Sequence, residues 1–252
     1  MYPYLFNSGV SSWNVCFFVG VVVSLFLVII NVPKNFSVRK KGIFFCCLLM
    51  VYFGILGAKF LFVILHWSVV IRKGYSVFDL LFFSGYASLG GIFGVLIGIV
   101  FFCRFRIKKL NFFEVADYVF PYMLLCFSFV RFGCFLNGCC YGKATSSFFG
   151  VLSRFSDPGV LCYPTQLFLM FALFLNFFVI RFIYKYGKYN FSGVVFFVGV
   201  SIYCFFRFFI EFLRQEHVPF LGFFSLAQIF LVIVFVFSLI YVFCILKCSV
   251  KN

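Results

Sequence analysis

The sequence predicts an all-α integral membrane protein with about seven transmembrane helices, and three observations carry that expectation. Of its 252 residues, 65% are hydrophobic and only 11% are charged, whereas an ordinary soluble domain carries about 25% charged residues. The mean hydropathy is +1.17. The apolar segments are about 20 residues or longer, the length a helix needs to cross a hydrocarbon core roughly 30 Å thick. Strands of a membrane barrel would be shorter and would alternate in character.

The first apolar run, Trp13 to Val32, precedes the basic stretch PKNFSVRKK. A cleavable signal peptide carries its positive charge ahead of the apolar run, so this segment reads as an uncleaved helix with the N-terminus outside. The second segment, about Ile43 to Trp67, contains Lys59, and the third runs from about Val77 to Cys103. The fourth, about Phe112 to Val130, ends at Arg131 and gives way to an outward-facing polar loop at about 133–163. The fifth runs from Pro164 to Tyr184, the sixth from Phe191 to Leu213 and the seventh from Phe223 to Leu246. Together they make one polytopic domain, 1–252. On this topology the inner loops and tail collect thirteen Lys and Arg residues against seven on the outer half. The positive-inside rule therefore sets the C-terminus in the cytoplasm. The net charge of +15 lies in short clusters between apolar segments, where it sets topology, and no nucleic-acid partner is expected.

Ionisable groups inside apolar segments are costly, about 2.5–3.5 kcal/mol each on insertion scales, and call for an explanation. Arg207, Glu211 and Arg214 stand four and three residues apart, one turn from each other on one helix face. They form either a self-neutralised ladder that holds helices together or an anion site in which Glu211 orients a guanidinium. The guanidinium fork suits phosphate. Arg131 has no acid nearby in sequence and reads as an interfacial snorkelling residue or as a second phosphate ligand. Lys59, eight residues from its helix end, reads as a snorkelling residue or a functional one. His66 reads as interfacial beside Trp67, His217 as a loop residue, and Glu114 and Asp117 as solvated at the inner end of the fourth segment. Gly90, Gly91, Gly94 and Gly98 form a stripe for close helix packing.

The stretch Phe129–Gly142, FVRFGCFLNGCCYG, gathers Arg131, Asn137, Gly133, Gly138 and Gly142 with Cys134, Cys139 and Cys140. It reads as a compact turn whose glycines let backbone N–H groups approach an anion. Further on, CYPTQLF places Pro164 at a helix start and Gln166 within the first turn. The chain has no CxxC pair, hence no zinc or thioredoxin pattern, and no metal or cofactor is expected. These residues predict a phosphate pocket at the outer leaflet, open to lipid and water.

RFGCFLNGCCYG, YPTQL and FRFFIEFLRQ, in that order and spacing, resemble the bacterial phosphatidylglycerol–prolipoprotein diacylglyceryl transferases. The resemblance extends over most of the chain, from GAKFLFV through LGGIFGVLIG and FFEVADYVFP to the seventh segment. It implies an inner-membrane transferase, active toward the outer face, with phosphatidylglycerol and lipobox-containing prolipoproteins as substrates. The lipobox thiol would attack the glycerol carbon bearing the phosphate, and glycerol phosphate would leave. Arg131, Arg207 and Glu211 carry over as catalytic, and Asn137, Gly138, Gly142, Arg214, Lys59 and Gln166 as substrate-binding. Several positions depart from the family pattern. Leu89 replaces a histidine, Cys134 an asparagine, Cys139 an acid and Leu169 a glutamate, so the general base is unassigned among Tyr86, Tyr141 and the cysteines. Two alternatives stay open: other chemistry using Cys134, Cys139, Cys140 and Cys162, or a non-catalytic protein that binds anionic phospholipid. A structural disulfide among those cysteines is a further reading.

Overall fold

The computed structural model describes residues 11–33, 40–67, 86–105, 111–187, 193–215 and 218–250. Among them are seven helices: α1 (Ser12–Ile30), α2 (Lys40–Leu65), α3 (Ser88–Phe105), α4 (Phe112–Asn137), α5 (Thr165–Tyr186), α6 (Val194–Phe212) and α7 (Leu226–Val250). Six are long and apolar enough to cross a membrane, and α3 is a shorter apolar helix. The integral-membrane, all-helical expectation holds. Two short antiparallel hairpins join helices: β1 (Val151–Leu152) with β2 (Leu161–Cys162), and β3 (Pro219–Leu221) with β4 (Phe224–Ser225). His217 and the basic residues at 34, 39, 72, 73, 106, 108, 109 and 188, on which much of the charge asymmetry rests, lie outside the described residues.

The chain forms two compact units. In the unit Val28–Val115, α2 and α3 press together through their glycines. A Cβ at Gly57, Gly90 or Gly94 would collide with backbone of the facing helix, and one at Gly98 would sit 3.2 Å from the Leu49 carbonyl oxygen. The glycine stripe is therefore a packing surface, as small residues are between membrane helices. In the same unit the Lys59 Nζ lies over the Tyr86 ring, 4.2 Å from its centroid. The lysine is buried, so its charge is satisfied in part by the face of the ring.

The second unit contains residues up to Leu27 and from Ala116 onward. Here α1 and α4 approach at two glycines: a Cβ on Gly20 would meet Phe129, and one on Gly133 would meet Cys16 and Trp13, at 2.9–3.1 Å. Gly133 is thus a helix-packing residue rather than part of a turn. The fourth helix runs to Asn137, seven residues beyond the expected Val130, and the loop starts only at Gly138. Asp117 is also not solvated. It is buried and accepts the backbone N–H groups of Gly193 (2.6 Å) and Phe196 (2.7 Å). A carboxylate there satisfies N–H groups at the start of α6 and favours its positive dipole end. At the start of α7, Ser225 and Gln228 exchange hydrogen bonds of 3.2 and 2.9 Å in a capping box. The Gln228 amide also donates to the Phe208 carbonyl at 3.2 Å, tying α7 to α6.

Candidate active site

The end of α4 is closed by a Schellman motif. Gly138 takes the left-handed conformation, φ 80°. Its N–H bonds to the Phe135 carbonyl at 3.1 Å, and the Cys139 N–H to that of Cys134 at 3.2 Å. A side chain is strained at that φ, so Gly138 suits this corner. Cys140 follows, also at positive φ (61°), and the chain turns sharply.

The next residues are stitched between two other segments. Gly142 pairs with Arg214 and Ala144 with Cys162 in isolated antiparallel bridges. The Gly142 N–H donates to the Tyr163 carbonyl and the Lys143 N–H to that of Leu213, both at 2.8 Å. A Cβ on Gly142 would stand 2.5 Å from the Leu213 oxygen and under 3 Å from Tyr163 and Thr165. Glycine here is a demand for space. Side chains also hold the turn from below. Ser153 donates to the Gly138 carbonyl (2.7 Å), Gln166 Nε2 to that of Cys139 (2.6 Å) and Thr165 to that of Cys140 (2.8 Å). Gln166 is buried, and its side-chain oxygen has no hydrogen-bond partner among the described residues. Its contact with the turn makes it a residue that positions the loop.

These bonds decide which amides remain for a ligand. Gly138, Cys139, Gly142 and Lys143 all donate to protein carbonyls, whereas the N–H groups of Cys140 and Tyr141 meet no acceptor among the described residues. The anion nest expected of the whole turn is therefore narrowed to two consecutive amides.

The seam places the end of α6 beside the turn, and with it the charged ladder. Arg207 Nη2 lies 2.5 Å from Glu211 Oε2, and Arg214 Nη1 lies 3.6 Å from the same oxygen. Both arginines share one carboxylate oxygen, and the buried Nη1 of Arg207 has no hydrogen-bond partner among the described residues. Arg131, from α4, acts electrostatically on Arg207, as does Arg214. Two guanidiniums thus share one carboxylate, and the Arg131 charge is within electrostatic reach of Arg207. Sequence spacing shows the ladder, but not that Arg131 joins it from another helix.

The cysteines divide. Cys134 lies in the last turns of α4 with Cys139 and Cys140 in the turn that follows, and the Cys139 thiol reaches the Cys134 carbonyl at 3.7 Å. Cys162 stands apart in β2, its thiol toward the Val160 carbonyl at 3.9 Å. All four are free thiols, so the structure has no disulfide among them. The Cys140 thiol is pulled well below its ordinary range by donation from Cys134, then from Cys139, assisted by the charges of Arg131 and Arg214. Cys139 moves the other way: the bond from Cys134 lowers it, but its bond to Cys140 and burial outweigh that. Tyr141 donates its hydroxyl to the Phe155 carbonyl at 2.7 Å. Asn137 closes α4. Lys59 and Tyr86 belong to the other compact unit and are described above.

Comparison with known proteins shows the family. Residues 3–244 match the family described as prolipoprotein diacylglyceryl transferase. A phosphatidylglycerol–prolipoprotein diacylglyceryl transferase 2 of Clostridium perfringens is 32% identical over 225 residues, covering 87% of this chain and 86% of the relative. The enzyme of that name from Clostridium tetani is 31% identical, covering 84% of each chain. One from Campylobacter hominis is 30% identical, covering 74% of this chain and 67% of the relative. The chain belongs to the prolipoprotein diacylglyceryl transferase family.

Proposed function

We propose that this transferase moves a diacylglyceryl group from phosphatidylglycerol to the lipobox cysteine of a secreted precursor, at the outer face of the inner membrane. The observation that carries the reading is the Arg207–Glu211–Arg214 ladder, stitched at Arg214 to the turn whose Cys140 and Tyr141 amides meet no acceptor among the described residues, with the Arg131 charge in electrostatic reach. Arg131 and Arg207 hold the headgroup phosphate, the latter through its unpartnered Nη1. Glu211 fixes the direction of the Arg207 fork and Arg214 shares the carboxylate. The N–H groups of Cys140 and Tyr141 and the Asn137 side chain complete the cradle. Gly138, Gly142 and Gln166 shape it.

The chemistry follows from the charge. The acceptor thiol gives up its proton and its sulfur attacks the glycerol carbon that bears the phosphate. A C–S bond forms as the C–O bond breaks, and glycerol phosphate departs with the electron pair. Negative charge grows on the leaving phosphate, and fixed cations aimed there lower the barrier. Binding the phosphate also orients the carbon for attack. The test is incubation of membranes with radiolabelled phosphatidylglycerol and a lipobox peptide. Labelled thioether is expected. Its absence with a folded protein would reject the proposal, and co-purifying lipid without turnover would favour a binding protein instead.

A further inference from the structure

The transfer reaction leaves the helix connections at the cradle end without a task, yet both display side chains that water disfavours. Ser147–Gly150 is a tight turn, closed by a 2.8 Å hydrogen bond from the Gly150 N–H to the Ser147 carbonyl. Its central positions hold Phe148 and Phe149, 98% and 63% exposed, where turns ordinarily place glycine, proline, asparagine, aspartate or serine. Hairpin β3–β4 repeats the pattern: Phe220 in β3 is 67% exposed and Phe223, in the turn, 85%. The seam between Gly142 and Arg214 joins the α4–α5 connection to the end of α6 that leads into β3–β4, so both sets of phenylalanines lie at one end of these helices. Phe148 also stays near α5. The Thr145 N–H bonds to the Leu161 carbonyl, four residues ahead of that helix, and the three residues from Thr145 to Phe148 reach at most about 10 Å. The same loop carries Lys143 and Arg154, both exposed and without an ion pair to an acid among the described residues. Arg154 lies over the Phe155 ring, 5.4 Å from its centroid.

We propose that these two connections rest in the headgroup layer of the leaflet on the cradle side. Phe148, Phe149, Phe220 and Phe223 are immersed at the acyl boundary, and Lys143 and Arg154 lie against the phosphates of anionic phospholipid. Two features argue for lipid as the occupant of this surface. The exposed phenylalanines continue the apolar faces of helices long enough to cross a membrane, with α5 beginning just after one connection and α7 just after the other. Cations beside apolar anchors are also the combination that draws a segment onto an anionic bilayer surface. The contact has a consequence for the site. Ser153 donates to the Gly138 carbonyl and Tyr141 to the Phe155 carbonyl, so the depth of the loop sets the depth of the turn that forms the cradle. Lipid phosphates sit at a fixed height in the bilayer, and the anchors hold the cradle at that height. This last consequence rests on the transferase reading, but the membrane contact does not.

The experiment places tryptophan at each tip in turn, Phe148→Trp and Phe223→Trp, in the full-length protein in vesicles of phosphatidylcholine and phosphatidylglycerol. The emission added to that of the native Trp13 and Trp67 is followed with lipid brominated in the upper acyl chain and with aqueous acrylamide. Each added tryptophan should emit to the blue of free indole, lose most of its intensity to brominated lipid and be shielded from acrylamide. Quenching by acrylamide but not by brominated lipid, at either tip, would put that tip in water and overturn the proposal. A blue shift that arises only when a lipobox peptide is added would make the surface a peptide-docking site and overturn it equally. For the consequence, a Phe148→Ser, Phe149→Ser double variant is compared with wild type in the labelled-lipid assay. Its thermal melt should be unchanged, because these side chains are exposed, while kcat/KM falls about tenfold, within the loss expected from ångström-scale misplacement. An unchanged kcat/KM overturns the link to the cradle. Lipid-quenched tryptophans in a protein without transfer activity support the membrane contact and reject the transferase reading.

Discussion

Replacing Glu211 with glutamine separates positioning from charge at this site. The carboxylate stands 2.5 Å from Arg207 and 3.6 Å from Arg214, with its side chain 5% exposed and theirs 14% and 22%. At an effective dielectric near 20 those separations correspond to about 7 and about 5 kcal/mol of gross attraction. Desolvation offsets much of it, and losing one partner of such a buried pair typically costs about 3–5 kcal/mol. Glutamine keeps the size and one acceptor oxygen but frees the Arg207 fork, while the cradle becomes more positive. Phosphatidylglycerol should therefore bind at least as well, yet kcat should fall about a hundredfold, the scale of loss expected when reacting groups are displaced by about an ångström. Steady-state transfer with labelled lipid, alongside a thermal melt, separates the two effects. Wild-type kcat in a stably folded Glu211→Gln protein would refute the argument that the carboxylate aims Arg207. A raised KM with kcat intact would mean that the ladder serves binding alone.

Arg131→Ala and Arg207→Ala should each abolish thioether formation in the same assay, and Arg131→Lys should restore only part, because an ammonium lacks the two-pronged fork; retained activity in either alanine variant removes that arginine from the mechanism. Gly142→Ala should lower the melting midpoint and the activity together, since the new methyl meets the Leu213 oxygen and Tyr163, at an overpacking cost of about 1–3 kcal/mol. Asp117→Ala removes the acceptor of two backbone N–H groups and should cost about 1–2 kcal/mol by thermal melt. The surviving folded fraction should keep its KM, because Asp117 holds the opposite end of α6 from the arginines.

The helices were legible because lipid as solvent demands a length and an apolar composition that loops do not mimic. The end of α4 was not. Arg131, Gly133 and Asn137 look like loop residues until Trp13 and Cys16 are seen lying against Gly133, a contact across more than a hundred residues. Asp117 was misjudged for a related reason: its partners are 76 and 79 residues away in sequence, and a carboxylate near a helix end otherwise reads as solvated. At the site, the Arg207–Glu211–Arg214 ladder was plain from helical spacing, and Arg131 was conspicuous by lacking an acid. The seam joining Gly142 to Arg214 was invisible because single bridges leave no alternating pattern to read. The fate of the turn amides was equally hidden, since Ser153, Thr165 and Gln166 had no sequence signal tying them to three successive carbonyls.

That seam also bears on how the protein is made. The turn at Cys140–Thr145 acquires its partners at Leu161–Tyr163 soon after synthesis, but Leu213 and Arg214 emerge about seventy residues later. Until α6 has left the ribosome and entered the bilayer, Arg131 has neither its companion arginines nor the strand that holds the turn in shape. A nascent chain stalled before that point lacks the α6 half of the proposed cradle. On the proposed reading the site is completed late in insertion, and defects in integrating α6 should appear as inactive protein whose earlier helices are correctly in place.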